Sequence, residues 1–280
     1  MSFPSSPKHY LVIGASRGIG LEFTRQLLLA SPTNIVIATH RSTETPPTLQ
    51  ELDGRFHSPP RLWTVKCDLG DESTIESLCL AVSELLARGG AGEKCIETVI
   101  VSAGVLEWPG GVLGGTSQSY HSHFQTNTIG PLLTAKHLLA IPRFRISTVA
   151  FISSDSGSAT NFRSFEDGFA AYAASKAALN MGLRHLAAEL HRKNDPAAPI
   201  VLALHPGEVN TDMAKDVDLP WEVKGVIEVE ESVRGCLKVI GEKGKGGVDD
   251  GGRATSWASG KLEEDGAATF WTWDGRRYPW

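Results

Sequence analysis

The chain has 280 residues, with 27 lysines and arginines against 32 aspartates and glutamates, a formal net charge of −5. That balance argues against a nucleic-acid-binding or anionic-membrane surface, because both reward a basic patch. A hydrophobic fraction of 41% and a charged fraction of 21% exclude a mainly disordered chain.

The apolar run at residues 10–13 predicts a first strand, and it is too brief for a signal-peptide core or a membrane span. Gly14-Ala15-Ser16-Arg17-Gly18-Ile19-Gly20 follows it. Ile19, Phe23 and Leu27 then fall at i, i+4 and i+8, the period of a helix. A second strand is expected at 35–38. Residues 43–60 carry Pro46-Pro47 and Pro59-Pro60 and predict a loop with at most one short helix. A third strand at 62–65 leads to a helical stripe of Ile75, Leu78, Val82, Leu85 and Leu86, opened by Ser73-x-x-Glu76 as a capping box. Further strands are expected at 98–101, 148–152 and 200–204, with a helical stripe of Leu179, Leu183, Leu186 and Leu190 between the last two. Glycine-rich residues 241–252 read as a flexible surface loop.

These runs are continuous rather than alternating, as in strands buried on both faces of a parallel sheet. Their alternation with helices predicts right-handed βαβ crossovers. The expected architecture is α/β, a single Rossmann-type doubly wound parallel sheet flanked by helices, with residues 1–280 as one domain. The cysteines (Cys67, Cys79, Cys95, Cys236) form no CxxC pair and predict reduced thiols in a cytoplasmic protein.

Two local patterns carry chemistry. Glycines at 14, 18 and 20 let backbone approach a pyrophosphate, and the helix N-terminus then offers free N–H groups. A glycine-rich capping turn would look the same in isolation, but the position between first strand and first helix favours the phosphate reading. Tyr172 and Lys176 stand at i and i+4, which places phenol and ammonium on one helical face. A cation there favours phenolate and lowers a pKa that starts near about 10. A surface Tyr–Lys pair would have the same spacing, so the pattern needs supporting residues.

Those residues bring a resemblance. The chain resembles the short-chain dehydrogenase/reductases from about Tyr10 to the C-terminus. Gly14, Gly18 and Gly20 are similar to their glycine motif, and Asp68 in Cys67-Asp68-Leu69 to their adenine-contacting aspartate. Val101-Ser102-Ala103-Gly104 is similar to their Asn-Asn-Ala-Gly, Asn127 to their helix asparagine, and Ser154 to their catalytic serine, with Ser153 as a minor alternative. Pro206-Gly207-Glu208-Val209-Asn210-Thr211 is similar to the turn over the nicotinamide. The resemblance implies Tyr172 as general acid/base, Ser154 bonded to the substrate oxygen, Lys176 on the nicotinamide ribose and lowering the Tyr172 pKa, and Asn127 positioning a relay water. It implies cofactor contacts from Gly14, Ser16, Arg17, Gly18, Ile19, Gly20, Arg41, Asp68, Leu69, Ser102, Ala103, Gly104, Asn127, Tyr172, Lys176, Pro206, Gly207, Val209 and Thr211. Two departures stand out. Ile13 replaces a frequent threonine and Val101 the first asparagine, so a polar contact across the sheet is expected to have become apolar at both ends.

The second strand ends Ala38-Thr39-His40-Arg41, without the acid that holds the ribose diol in NAD-preferring members. Arg41 and Arg17 suit a 2′-phosphate, so NADP(H) is expected over NAD(H). Substrate loops are expected around 105–116, 155–171 and 208–228. They carry Leu106, Trp108, Phe162, Phe165, Met213 and Trp221, a lining for a hydrophobic ketone, aldehyde or quinone. The long stretch from Ser154 to Tyr172 and the ending Asp274-Gly275…Pro279-Trp280 resemble the sniffer and C-factor branch of carbonyl reductases. Family members pair the helices of Asn127 and Tyr172, which implies a homodimer or homotetramer. No HExxH is present, and His121 and His123 diverge on a helix, so no metal is expected. The rival reading is a non-catalytic NADP-binding sensor on the same fold.

Overall fold

The computed structural model describes residues 7–87, 94–193, 198–215, 217, 219–247 and 268–280. The strands are β1 (His9–Ile13), β2 (Ile35–His40), β3 (Leu62–Lys66), β4 (Lys94–Val101), β5 (Phe144–Ile152), β6 (Ile200–His205) and β7 (Thr269–Thr272). They form one parallel sheet in the order β3-β2-β1-β4-β5-β6-β7. The helices are α1 (Gly18–Ala30), α2 (Pro47–Arg55), α3 (Glu72–Ala87), α4 (Ser117–Phe124), α5 (Gly130–Leu139), α6 (Ala170–Arg192), α7 (Asp212–Lys215) and α8 (Val229–Lys243). The expected α/β class and doubly wound parallel sheet are therefore present.

Two apolar layers sandwich the sheet, which explains the unbroken apolar runs. One joins Leu11, Ile13, Val99, Val101 and Phe151 to Leu78, Val82, Leu179 and Leu183 of α3 and α6. The other joins Val12, Val36, Ile100 and Leu202 to Phe23 and Leu27 of α1 and Val233 of α8. Residues 43–60 do hold one short helix, α2. No helix among the described residues is long and apolar enough to cross a membrane.

Three local expectations are corrected. Helix α3 starts at Glu72, so Ser73 lies inside it rather than at its cap. Asp71 caps instead: its Oδ1 accepts from Ser73 N at 3.0 Å and from Ser73 Oγ at 2.6 Å. Gly241 belongs to α8 rather than to a loop, while 248–252 lie outside the described residues. The seventh strand comes from the aromatic ending, where Phe270 and Trp271 are buried.

Ile13 and Val101 are register partners in neighbouring strands, both almost fully buried in one apolar layer. The two departures thus meet as one apolar pair. Val101→Asn alone should destabilise the protein by about 1–3 kcal/mol, because its amide would be buried without a partner. Adding Ile13→Thr should recover part of that loss. Urea unfolding of the two singles and the double measures it; strictly additive losses would refute the pairing.

Candidate active site

The site lies where the strand order reverses, at the carboxyl ends of β1 and β4, the usual ligand position in such sheets. Gly14 leaves β1 with φ +83°, and a Cβ there would sit 2.7 Å from the Ala103 backbone. Ser102 and Ala103 both donate their N–H to Ile13 O, at 2.9 and 3.0 Å. A Cβ on Gly20 would strike Gly14 O, and Gly18 has φ +53° with Thr211 Cγ2 as its neighbour. Helix α1 begins with no side-chain cap and no acid in its first turn. Backbone this bare, ending in free N–H groups, fits a dinucleotide pyrophosphate.

The other expected cofactor residues surround this crevice unevenly. Gly14 N donates to Thr39 Oγ1 at 3.0 Å, and Ser16 O accepts from Thr48 Oγ1 at 2.7 Å. Ile19 is half-buried, and Arg17 and Arg41 are exposed. Asp68 spends Oδ1 on Gly70 N at 2.9 Å, and Leu69 is buried. Pro206 O accepts from Ser232 Oγ at 2.6 Å, and Gly207 takes φ +89° under Trp273. Val209 pairs with Ile227, and Thr211 Oγ1 caps α7 by accepting from Ala214 N.

Ser154, Tyr172, Lys176 and Asn127 converge next to Gly104. A Cβ on Gly104 would lie 3.2 Å from Asn127 Oδ1 and 3.7 Å from Lys176 Nζ. Lys176 Nζ donates to Ile152 O at 2.8 Å and stands 5.8 Å from the Tyr172 ring centroid. Gly157 lets α6 come this close, since a Cβ there would be 2.8 Å from the Lys176 backbone. Asn127 sits in a π-helical turn, Gln125–Ile129, a distortion common at functional sites. Its Nδ2 donates to Val105 O and Ser175 Oγ, at 2.9 and 3.0 Å, and its Oδ1 accepts from Val105 N at 2.8 Å. The Ser154 hydroxyl acts on the Tyr172 phenol and favours its ionised form. Ser153, the minor alternative, donates its hydroxyl to Asn180 Oδ1 at 2.6 Å.

One electrostatic expectation is reversed. Burial pushes the Tyr172 phenol up to about 12; Ser154 opposes this, while Asp155, Glu208 and Glu166 add to it. Burial also pulls Lys176 down to about 8, and the ammonium is not among the groups that set the phenol.

Those acids were not legible as site residues. Arg163 Nη2 contacts Asp155 Oδ2 at 2.8 Å and Glu166 Oε1 at 2.7 Å, and its Nη1 lies 3.8 Å from Glu208 Oε1. Ser154 Oγ donates to Asp155 Oδ1 at 3.1 Å, and His205 Nδ1 accepts from Asp155 N at 3.3 Å. Ligand-type atoms of Asp155, His205 and Glu208 lie within 4.8 Å of one another, as do those of Glu72, Glu76 and His137 on the surface. His121 and His123 separate as expected. His123 is buried edge-on to Tyr172 at 6.3 Å, and its Nε2 accepts from Glu107 N at 3.1 Å.

The aromatic candidates divide. Trp108 packs with its ring tilted against Phe169 at 4.5 Å, a partner that sequence reasoning missed, and meets Trp221 edge-on at 5.6 Å. Phe165 joins Trp221 at 5.4 Å. Phe162 is exposed, and Leu106 and Met213 are half-buried. Trp280 packs on Phe270 at 5.4 Å, and its carbonyl accepts from Thr160 N and Oγ1.

The chain belongs to the short chain dehydrogenase family, whose profile matches residues 8–220. An uncharacterized oxidoreductase of Schizosaccharomyces pombe is 29% identical over 244 residues, 83% of this chain and 90% of that protein. The C-signal protein of Myxococcus xanthus is 31% identical over 159 residues, 56% of this chain and 76% of that protein. An NADPH-bound carbonyl reductase from chicken fatty liver superposes with a TM-score of 0.74 at 28% identity, covering 98% of this chain and 100% of that one. These likenesses agree with the resemblance to the sniffer and C-factor branch.

Lys176 gives the site a pH signature. Its folded pKa of about 8 lies below the ordinary 10.5, so the unfolded chain holds more protons between those values. Stability of the cofactor-free protein, relative to Lys176→Met, should therefore rise as pH climbs from about 8 to 10.5, by about 3 kcal/mol at most. Denaturant unfolding of both proteins across that window tests it, and a flat difference would contradict the burial of the ammonium.

Proposed function

We propose that this protein is an NADP(H)-dependent reductase of hydrophobic carbonyl compounds, working as one domain with substrate loops at 105–116, 155–171 and 208–228. The observation that carries the reading is the convergence of Ser154, Tyr172 and Lys176 beside Gly104, facing the bare glycine loop. Likeness to an NADPH-bound carbonyl reductase supports the cofactor. Gly14, Ser16, Gly18, Ile19 and Gly20 would hold the pyrophosphate and Asp68 with Leu69 the adenine. Ser102, Ala103, Gly104, Asn127, Lys176, Pro206, Gly207, Val209 and Thr211 would flank the ribose and nicotinamide. The cofactor supplies hydride to the carbonyl carbon.

Tyr172 gives its proton to the carbonyl oxygen as negative charge develops there, and Ser154 bonds that oxygen. The raised phenol suits this direction, because Tyr172 stays protonated at neutral pH. Lys176 orients the cofactor ribose, and Asn127 ties the Val105 loop to α6 through Ser175. Trp108, Phe169 and Trp221 wall the substrate side with apolar surface. Exposed Ile129 and Met181 support assembly into a homodimer or homotetramer, and the reduced cysteines support a cytoplasmic setting.

NADPH consumption with nitrobenzaldehyde, acetophenone and phenanthrenequinone tests the activity. Tyr172→Phe should lower turnover about 10²–10⁴-fold while NADPH binding, read by fluorescence, stays intact. Tight NADPH binding with no turnover of any carbonyl class would replace the reductase by a sensor. Arg17→Ala with Arg41→Ala should raise KM for NADPH at least about tenfold and leave NADH little changed. Equal effects on both cofactors would remove the 2′-phosphate contact.

A further inference from the structure

Three carboxylates crowd the approach to Ser154 and Tyr172, and they come from separate segments of chain. Asp155 opens the turn after β5, Glu166 lies in the 3₁₀ segment Ser164–Phe169, and Glu208 follows β6. Asp155 and the Glu166 side chain are largely buried, while the Glu208 side chain is partly open. Like charges gathered this closely repel, and burial raises the cost. The guanidinium of Arg163 touches Asp155 and Glu166 through one nitrogen and approaches Glu208 with the other. Arginine suits this place because its planar fork stays charged and serves several acceptors at once.

The cluster is coupled to the phenol by contact as well as by field. Asp155 accepts a hydrogen bond from Ser154 Oγ, and the Ser154 hydroxyl acts in turn on the Tyr172 phenol. The groups around Tyr172 are Lys176 on its own helix, Ser154 and Asp155 from the end of β5, and Arg163 and Glu166 from the following loop. Glu208 and His205 come from the end of β6, and His123 from α4. His205 is held toward its neutral form by burial, against the pull of Asp155. Among the described residues, Arg163 is thus the cation that meets all three acids.

We propose that Arg163 is a positioning residue that sets the field at Tyr172: by binding Asp155, Glu166 and Glu208 together, it fixes the pH at which the phenol gives up its proton. The proposal rests on Tyr172 as the acid/base of the preceding reading. Without Arg163 the cluster gains one net negative charge, phenolate becomes costlier, and ionisation moves to higher pH. Removing Glu208 acts in the opposite sense.

The test replaces Tyr172 by difluorotyrosine, whose ring fluorines bring ionisation toward neutral pH, and follows its titration by fluorine NMR. Arg163→Met should raise the midpoint by about one pH unit, the scale of one added charge near the site. Arg163→Lys should return most of that shift, and Arg163→Met with Glu208→Gln should bring the midpoint back toward the parent. Glu208→Gln alone should lower it, which keeps the test alive if Arg163→Met does not fold. An unmoved midpoint in folded Arg163→Met, or in Glu208→Gln, overturns the proposal. Oxidation of nitrobenzyl alcohol by NADP⁺ gives a second readout, its rising alkaline limb shifting in the same order. A shifted midpoint with no turnover in any variant would sink the reductase reading and leave the role of Arg163 standing. Turnover abolished by Tyr172→Phe, with no shift in Arg163→Met, would do the reverse.

Discussion

Gly14 has no side chain because Ala103 stands where one would go. That single close approach fixes the rest. It holds the turn after β1 against the turn after β4, at the place where successive crossovers leave in opposite directions. The crevice so formed has bare backbone on one wall. Its other wall is the pair of loops that end β5 and β6. Everything with chemistry in it, from the open end of α1 to the Lys176 ammonium beside Gly104, is referred to that contact.

The interior behind the crevice is apolar, and this shapes its electrostatics. Lys176 is anchored to the Ile152 carbonyl rather than to a carboxylate, so burial acts on it without relief. Tyr172 is half-buried, with its phenol desolvated and acids beyond Ser154. Two groups that attract each other in water are here both driven toward their neutral forms.

Much of this was written in the sequence, and the reasons are local. Continuous apolar runs located β1 to β6 to within a few residues, because strands buried on both faces have no polar alternation to blur them. The glycines, Ser154, Tyr172 and Lys176 sit at strand ends and at the start of a helix, where spacing is set by the turn. Other features were not local. The seventh strand is four residues long and was hidden in an aromatic ending. Asp71 and Ser73 are both good caps two positions apart, and the chain used the first. The sign of the Tyr172 shift depended on burial, which an i, i+4 spacing does not carry. Asp155, Arg163, Glu166 and Glu208 look like ordinary solvated charges until folding brings their three segments together.

The aromatic wall has a consequence of its own. Trp108, Phe165, Phe169 and Trp221 come from three different loops, yet each touches another. Gly168 lies under the Trp108 ring with no room for a Cβ, and Gly110 N bonds Gly168 O at 2.7 Å. The loops are therefore a single interlocked part rather than three adjustable ones. Divergence among relatives in what they accept would have to proceed by coordinated replacement, since a new loop grafted alone would meet two neighbours shaped for its predecessor.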